Sequence, residues 1–342
     1  MPLKWAKLMT NRLKTIERLE LELHPTDDSR STSISKLRGL YETLAEQLFQ
    51  QFEPTRKVSP RVSRDFMVRL NDWLEHFEND EDKWTALKSI QYVFFAGHFE
   101  FEELYRCAVE NKIKPWLIDI KGIDIFEEDA LKKLDDELDK CWPCPVSDSL
   151  RINGFLHLTG LKGKNLRPDW MSMKQFATAD SIQKYQTKEG IDYLILIEDF
   201  VGSGDQFSKV LKFAAENFRG PIILTPLIVC APGDKKIKET IALLNHDISY
   251  RPVTVLSEDC LITDKPTPGE PKLFSKLRDV LKTGYTIMNS SLDGAEYGWK
   301  KTGSLVVLYS NCPNNTPPIY HHHTATWQPL FPRSEREFKA AP

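Results

Sequence analysis

A chain of 342 residues with 46 basic and 49 acidic side chains carries a formal charge of −3, which gives no electrostatic case for general binding to nucleic acid or to an anionic membrane surface. No apolar run approaches the length of a membrane span, and Met1-Pro-Leu-Lys-Trp5 lacks the apolar core of a signal peptide. These features set the expectation of a cytoplasmic protein with reduced thiols, folded as one large domain or two modest ones.

In chain order, Leu13 to Leu23 reads as a charged amphipathic helix, followed by a polar break from Pro25 to Ser33. Leu37, Leu40, Leu44, Leu48 and Phe52 recur at helical spacing, as do Phe66, Leu70, Trp73, Leu74 and Phe77. A long helical pattern from Trp84 to Val109 follows the acidic run Glu78 to Asp82, which suits a helix N-terminus. Residues 1–113 are therefore expected to form an α-helical N-terminal region, structural or partner-binding in role.

From Lys114 the pattern changes to short apolar runs alternating with helices. The expected strands are Trp116 to Ile120, Trp142 to Val146, Phe155 to Leu158, Tyr193 to Ile197, Ile222 to Val229, Val253 to Leu256 and Leu305 to Tyr309. The expected helices are Glu127 to Lys140, Phe207 to Phe218, Lys236 to Asn245 and Leu273 to Leu281. Such alternation predicts an α/β domain over 114–342, with a mainly parallel sheet and right-handed crossovers. Ligands of such sheets bind at the C-terminal ends of the strands. The C-terminal tail reads as irregular.

Two clusters invite metal or redox readings. Cys141-Trp-Pro-Cys144 follows a helix, whereas a redox pair sits before one, and no second pair completes a zinc site; two thiols at a helix-to-strand junction is the plain reading. His321-His-His323 cannot direct three neighbouring side chains at one metal from a strand, so an exposed or pocket-rim segment is expected.

The densest chemistry lies in Tyr193-Leu-Ile-Leu-Ile-Glu-Asp-Phe-Val-Gly-Ser-Gly-Asp-Gln-Phe207. A buried strand ends in Glu198 and Asp199, whose carboxylates can accept hydrogen bonds from the two hydroxyls of a ribose. Gly202, Ser203 and Gly204, with Asp205 and Gln206, form a glycine turn feeding a helix, an arrangement that presents backbone N–H groups to phosphate. Diol on one side and phosphate on the other describe a ribose-5-phosphate ligand.

This string resembles the signature of the type I phosphoribosyltransferases. Together with Asn311-Cys-Pro-Asn-Asn315 and the Trp327…Pro-Leu-Phe-Pro-Arg333 tail, it is more specifically similar to the phosphoribosyltransferase-like family associated with bacterial conflict systems, over roughly the C-terminal two thirds of the chain. The resemblance implies a phosphoribosyltransferase-type fold that binds phosphoribosyl pyrophosphate (PRPP). Glu198 and Asp199 take the ribose, and residues 202–206 take the 5-phosphate. The sequence departs from the signature in having Glu-Asp for Asp-Asp and Gln206 for a hydroxyl residue, and Asp205 adds a negative charge beside the phosphate.

The resemblance also implies the remaining parts of a site. A pyrophosphate loop is expected at Ser147, Asp148, Ser149 and Arg151, with Lys121-Gly122 as the alternative. A basic lid is expected at Thr159 to Asp169, with Lys162, Lys164 and Arg167 neutralising the leaving group, or with Pro168-Asp169-Trp170 anchoring that loop to the helical cap. Asn311, Asn314 and Asn315 would face an acceptor from a C-terminal hood. Magnesium would accompany PRPP, and a defence-system protein would meet the helical region. Two other readings stand beside this one. A non-catalytic nucleotide-sensing or partner-binding module fits the substituted positions Asp205 and Gln206. An adenosylmethionine-dependent methyltransferase matches the glycines but lacks the Asn/Asp-Pro-Pro-aromatic motif and an acid after the next strand.

Overall fold

The computed structural model describes residues 28–53, 62–168, 170, 179–288 and 295–334. The expected helix Leu13 to Leu23 and the start of the polar break at Pro25 lie outside the described residues. The chain divides into two compact units, one joining Met1–His98 to Asp259–Pro342 and the other being Phe99–Glu258. The helical region thus shares a unit with the C-terminal segment, whereas the sequence pattern led to a division after residue 113.

The first unit begins with α1 (Asp28–Gln47), α2 (Phe66–Leu74) and α3 (Asp80–Ser89). The Asp65 side chain caps α2 by accepting a hydrogen bond from Val68 N at 3.0 Å. Asn79 caps α3 through Asp82 N at 2.8 Å. Asp80, Glu81 and Asp82 occupy its first turn, where the helix dipole favours negative charge. The long helix expected from Trp84 to Val109 is broken by a 3-10 turn at Ile90–Tyr92 and by strand β1 (Phe94–Ala96). The run Tyr92-Val-Phe-Phe95 favours extended backbone, and its partner, Val306–Leu308, lies more than two hundred residues away in sequence.

The second unit opens with α4 (His98–Ala108), which passes through a π turn at Val109–Ile113 into α5 (Lys114–Lys121). Trp116 to Ile120, expected as a strand, is therefore helical. Pro115 in the first turn and left-handed Gly122, at φ 61°, bracket this helix and outweigh a short apolar run. Lys121-Gly122 consequently ends a helix rather than following a strand. Next come α6 (Ala130–Leu138), β2 (Cys141–Pro145) and α7 (Ile152–Thr159). The helix α7 replaces the strand expected at Phe155 to Leu158; three apolar residues in a run of four fit either period, and Gly160 closes the helix at φ 70°. The remaining elements are α8 (Ala179–Glu189), β3 (Tyr193–Val201), α9 (Asp205–Asn217), β4 (Ile222–Cys230), α10 (Ala231–Ala242), β5 (Ile248–Tyr250) and β6 (Thr254–Leu256).

All these strands pair in parallel, in the order β2-β3-β4-β5, with β6 also on β4. Between β5 and β6, Arg251 N and Val253 N still bond to Leu224 O and Pro226 O, so the two form one outer strand interrupted at Pro252. Trp142, Cys144, Leu194, Leu196, Ile222 and Leu224 meet α8, α9 and α10 in one core. On the opposite face Tyr193 meets Trp116 of α5 and donates to Glu137 Oε2 of α6 at 2.5 Å. Helices on both faces of a parallel sheet give the expected α/β class. Cys141 and Cys144 are buried, reduced and three residues apart, so they face opposite sides of β2; burial pushes both thiols up. Val146 N bonds to Ile197 O at 2.9 Å, so Pro143 and Pro145 turn their missing N–H positions toward the open edge, where strand prolines are tolerated.

The chain returns to the first unit through α11 (Leu273–Met288) and β7 (Val306–Leu308), the parallel partner of β1. The irregular tail is its core. Phe331 lies among Phe49, Phe52, Phe66 and Phe95, and Trp327 meets His76 and Phe77. His321 is buried, not exposed as expected; its Nε2 lies 2.9 Å from Thr316 O, and burial with nearby Arg333 pushes its pKa down to about 3. His323 is exposed. Among the described residues no group of three His, Cys, Asp or Glu side chains could hold a metal, and no helix is long and apolar enough to cross a membrane.

Arg69, buried in this core, donates to Leu330 O and to Arg64 O, each at 2.7 Å. Arg69→Met should lower stability by about 2–3 kcal/mol, since the buried Leu330 carbonyl and the part-buried Arg64 carbonyl lose a charged donor. Urea unfolding measures it, and a loss below about 0.5 kcal/mol would show that apolar packing alone holds the tail.

Candidate functional site

The apolar run of β3 delivers Glu198 and Asp199 to the C-terminal half of a central strand, and both are 5% exposed. The strand is irregular there. The residues facing the α8–α10 layer are Leu194 and Leu196 before the pair but Val201 after it; on β4 they are Leu224 and then Val229. An odd spacing on a period-two element means that both strands change face between these positions, and they turn together, because the register continues without the extra residue of a bulge. Glu198 pairs with Pro226, which has no N–H, and the register resumes at Phe200↔Ile228. Phe200 N donates to Asp199 Oδ1 at 2.8 Å.

The loop after β2 closes on this pair. Ser147 N donates to Glu198 Oε2 at 2.9 Å, and Ser147 Oγ donates to Oε1 at 2.5 Å. Ser149 Oγ lies 3.1 Å from Glu198 Oε1 and 2.9 Å from Asp199 Oδ1, so a single hydroxyl bridges the two carboxyl groups. Parallel pairing of β2 with β3 produces this contact, because it aligns Pro145 with Ile197 and brings the following residues side by side. Of the four residues expected in a pyrophosphate loop, Ser147 and Ser149 thus meet the acids, while Asp148 and Arg151 are exposed. Burial, with the Asp199 charge next, pushes the Glu198 carboxyl up to about 8 against the opposing serine bonds.

The glycine turn follows directly. Gly204 is left-handed at φ 78° and forms the N-cap of α9. Its tightness has a second cause in α10. A Cβ on Gly204 would stand 3.0 Å from Gly233 O, and one on Gly233 would stand 2.6 Å from Gly202 O. The turn and the first turn of α10 therefore touch backbone to backbone, as only glycine allows. Gly202 and Gly204 are buried, Ser203 and Asp205 half-buried and Gln206 exposed. Gly233 did not stand out in the sequence; Ala231-Pro-Gly at a strand-to-helix junction was the available signal.

The basic segment lies elsewhere. Lys162 Nζ pairs with Asp139 Oδ2 at 2.5 Å, and Lys164 Nζ donates to Asp139 O at 2.8 Å. Asp139 precedes the first rung of the β2–β3 pairing and Glu198 follows the last. Four rung spacings of roughly 3.3 Å separate them by about 13 Å or more. Leu166 is fixed by Trp142 Nε1 at 2.9 Å and by the Tyr185 hydroxyl at 3.0 Å. Arg167 Nε is buried without a partner among the described residues. Trp170 meets Trp142 and Phe213 in the sheet core, so it does not anchor the loop to a helical cap; Asp169 lies outside the described residues. The three asparagines belong to the first unit. Asn311 Nδ2 donates to Ser334 O at 3.3 Å and its Oδ1 accepts from Ser334 N at 3.1 Å. Asn315 Nδ2 donates to Thr302 Oγ1 at 2.8 Å, and Asn314 is exposed.

A comparison with protein families finds the model PRTase-CE over residues 70–333. The chain belongs to this phosphoribosyltransferase-like family. The match begins inside α2, well before the two thirds covered by the motifs, and extends over segments of both units. Searches of curated proteins and of solved structures found no match. Membership of PRTase-CE places the glycine turn with phosphoribosyltransferase-like folds rather than with methyltransferases.

Two measurements probe this geometry. Gly233→Val should destabilise the protein by roughly 1–3 kcal/mol, because its Cβ would meet the Gly202 carbonyl; urea unfolding with an unchanged midpoint would rule out the close approach. Glu198 ionises near 4.5 when unfolded and near 8 when folded. The folded protein holds the extra proton between these values, so this group's contribution falls as pH rises through that window and stays unfavourable above it. Glu198→Gln should remove this slope and raise Tm at pH 8 relative to the parent by roughly 5 °C, while the gap closes near pH 4.5. Parallel Tm profiles across that range would contradict the raised pKa.

Proposed function

We propose that this PRTase-CE protein binds PRPP or a related ribose-5-phosphate ligand at the C-terminal ends of β2 and β3, and transfers the phosphoribosyl group to an acceptor. The observation that carries the proposal is Ser149 Oγ bridging Glu198 and Asp199. A sugar hydroxyl offers the same donor, so the two ribose hydroxyls replace the serine contacts when the ligand enters. The glycine turn, with backbone N–H groups at the start of α9, takes the 5-phosphate.

Transfer requires little acid–base work from the protein. The bond from the anomeric carbon to pyrophosphate breaks, pyrophosphate carries away the electron pair, and the acceptor bonds to the same carbon as it loses a proton. Asp199 and the ionised form of Glu198 favour the positive charge that develops on the sugar. Two carboxylates with neighbouring hydroxyls suit magnesium, which takes few protein ligands and shares substrate phosphate oxygens; the ion would neutralise leaving-group charge. Lys162, Lys164 and Arg167 would add cations to that task after exchanging Asp139 for pyrophosphate. A protein partner at the helical region and a bacterial conflict or antiphage setting complete the proposal.

A second reading has its own support. Lys162 and Lys164 are engaged at Asp139, and a protein with no cation at the leaving group would hold the ligand without transferring it, as a nucleotide-sensing module does. Titration calorimetry with PRPP and magnesium tests the shared premise. Glu198→Ala with Asp199→Ala should weaken binding at least about 100-fold, the equivalent of losing two or more charge-assisted hydrogen bonds, while the protein stays folded. Unchanged affinity in the folded double variant would sink both readings. Pyrophosphate release with an acceptor then separates transferase from sensor.

A further inference from the structure

The contact between the glycine turn and α10 has a consequence for which ligands the turn accepts. A Cβ on Gly204 would stand 3.0 Å from Lys236 Cβ as well as 3.0 Å from Gly233 O. Lys236 is three residues after Gly233 and so shares its helical face, the face laid against residues 201–204. The Lys236 side chain is exposed, and among the described residues no hydrogen bond or ion pair engages its Nζ. Of the acid in the same turn, Asp234, Oδ2 accepts from Lys238 Nζ at 2.7 Å and Oδ1 is buried. Lys235, equally exposed, falls on the opposite side of the helix.

We infer that Lys236 is a phosphate-binding residue of this site, its ammonium group contacting a phosphomonoester dianion seated on the Gly202–Gly204 turn. The inference rests on the ribose-phosphate reading above and gives that site its ligand class, a ribose whose C5 carries a doubly charged phosphate. It also resolves a conflict in the turn. Asp205 puts a negative charge at the start of α9, beside the phosphate position, and the flexible four-carbon stem of Lys236, whose Cβ lies beside Gly204, brings an opposing charge to the same place. The glycine at 233 thus has two effects. It lets the helix approach the turn, and it sets Lys236 where a phosphate would be.

The test is calorimetric titration of the full chain with ribose 5-phosphate, ribose and magnesium pyrophosphate, for the parent, Lys236→Met and Lys235→Met. Both side chains are exposed, and matched Tm values would establish that each variant folds. Lys236→Met should weaken ribose 5-phosphate by roughly 10- to 100-fold, as expected for loss of a charge-assisted contact. It should flatten the salt dependence of that binding and leave magnesium pyrophosphate within about twofold. Lys235→Met should change neither ligand by more than about twofold, as for a surface charge without contact. Equal weakening by both lysine variants would reveal only a general surface field and overturn the assignment. A parent that binds ribose 5-phosphate and a Lys236→Met variant that binds it equally well would overturn the assignment while leaving the ribose-phosphate reading intact. A parent that binds neither ribose 5-phosphate nor PRPP would overturn both.

Discussion

Two carboxyl groups on consecutive residues of a buried central strand set the terms for the rest of the second unit. Glu198 and Asp199 are each 5% exposed, and two such groups cannot both ionise without compensation. The protein responds in three ways. Glu198 takes up a proton more readily than an ordinary carboxyl, the serine loop after β2 supplies donors, and Asp199 turns to the N–H of its own neighbour.

The glycine turn and the start of α10 extend this constraint outward. Residues 201–204 must pass between β3 and α9 while touching Gly233, which fixes two helix N-termini side by side. Aligned helix dipoles make that corner favourable for an anion, and Asp205 and Lys236 adjust its charge locally. The basic segment at Lys162 to Arg167 stands apart from this corner, held by Asp139, Trp142 and Tyr185. A ligand that recruited it would have to break the exposed Lys162–Asp139 pair, worth under about 1 kcal/mol, release the Leu166 bonds to Trp142 and Tyr185, and draw the segment across the length of the β2–β3 pairing.

The first unit follows a different logic. Its helices α2 and α3 are short and capped by Asp65 and Asn79, and its core is a cluster of aromatic rings contributed by both ends of the chain. The Trp327 to Phe331 stretch has no regular structure of its own, yet Trp327, Leu330 and Phe331 are fully buried. Arg69 holds it by its backbone, because an irregular segment buried without such donors would leave its carbonyls unpaired. Asn311 and Asn315 serve similarly, bonding to Ser334 and Thr302 within the unit.

The sequence by itself determined the features that depend on neighbours along the chain. The acidic cap of α3, the apolar run of β3 and the turn into α9 were legible because capping, hydrophobic period and glycine freedom act over a few residues. So was the parallel α/β class, which follows from alternation alone. It was less informative where short apolar runs fit two periods: α5 and α7 were expected as strands, although Pro115, Gly122 and Gly160 carried the helical signal. Only the tertiary structure decided the features that depend on distant partners. The pairing of β1 with β7, the serine bridge between Glu198 and Asp199, the capture of Lys162 by Asp139 and the approach of Gly233 to Gly202 each join segments whose separation carries no local signature. Their energies depend on which segments the fold brings together, by burial for the strand, serine and glycine contacts and by proximity for the exposed Lys162–Asp139 pair, and a sequence read in short windows does not specify that.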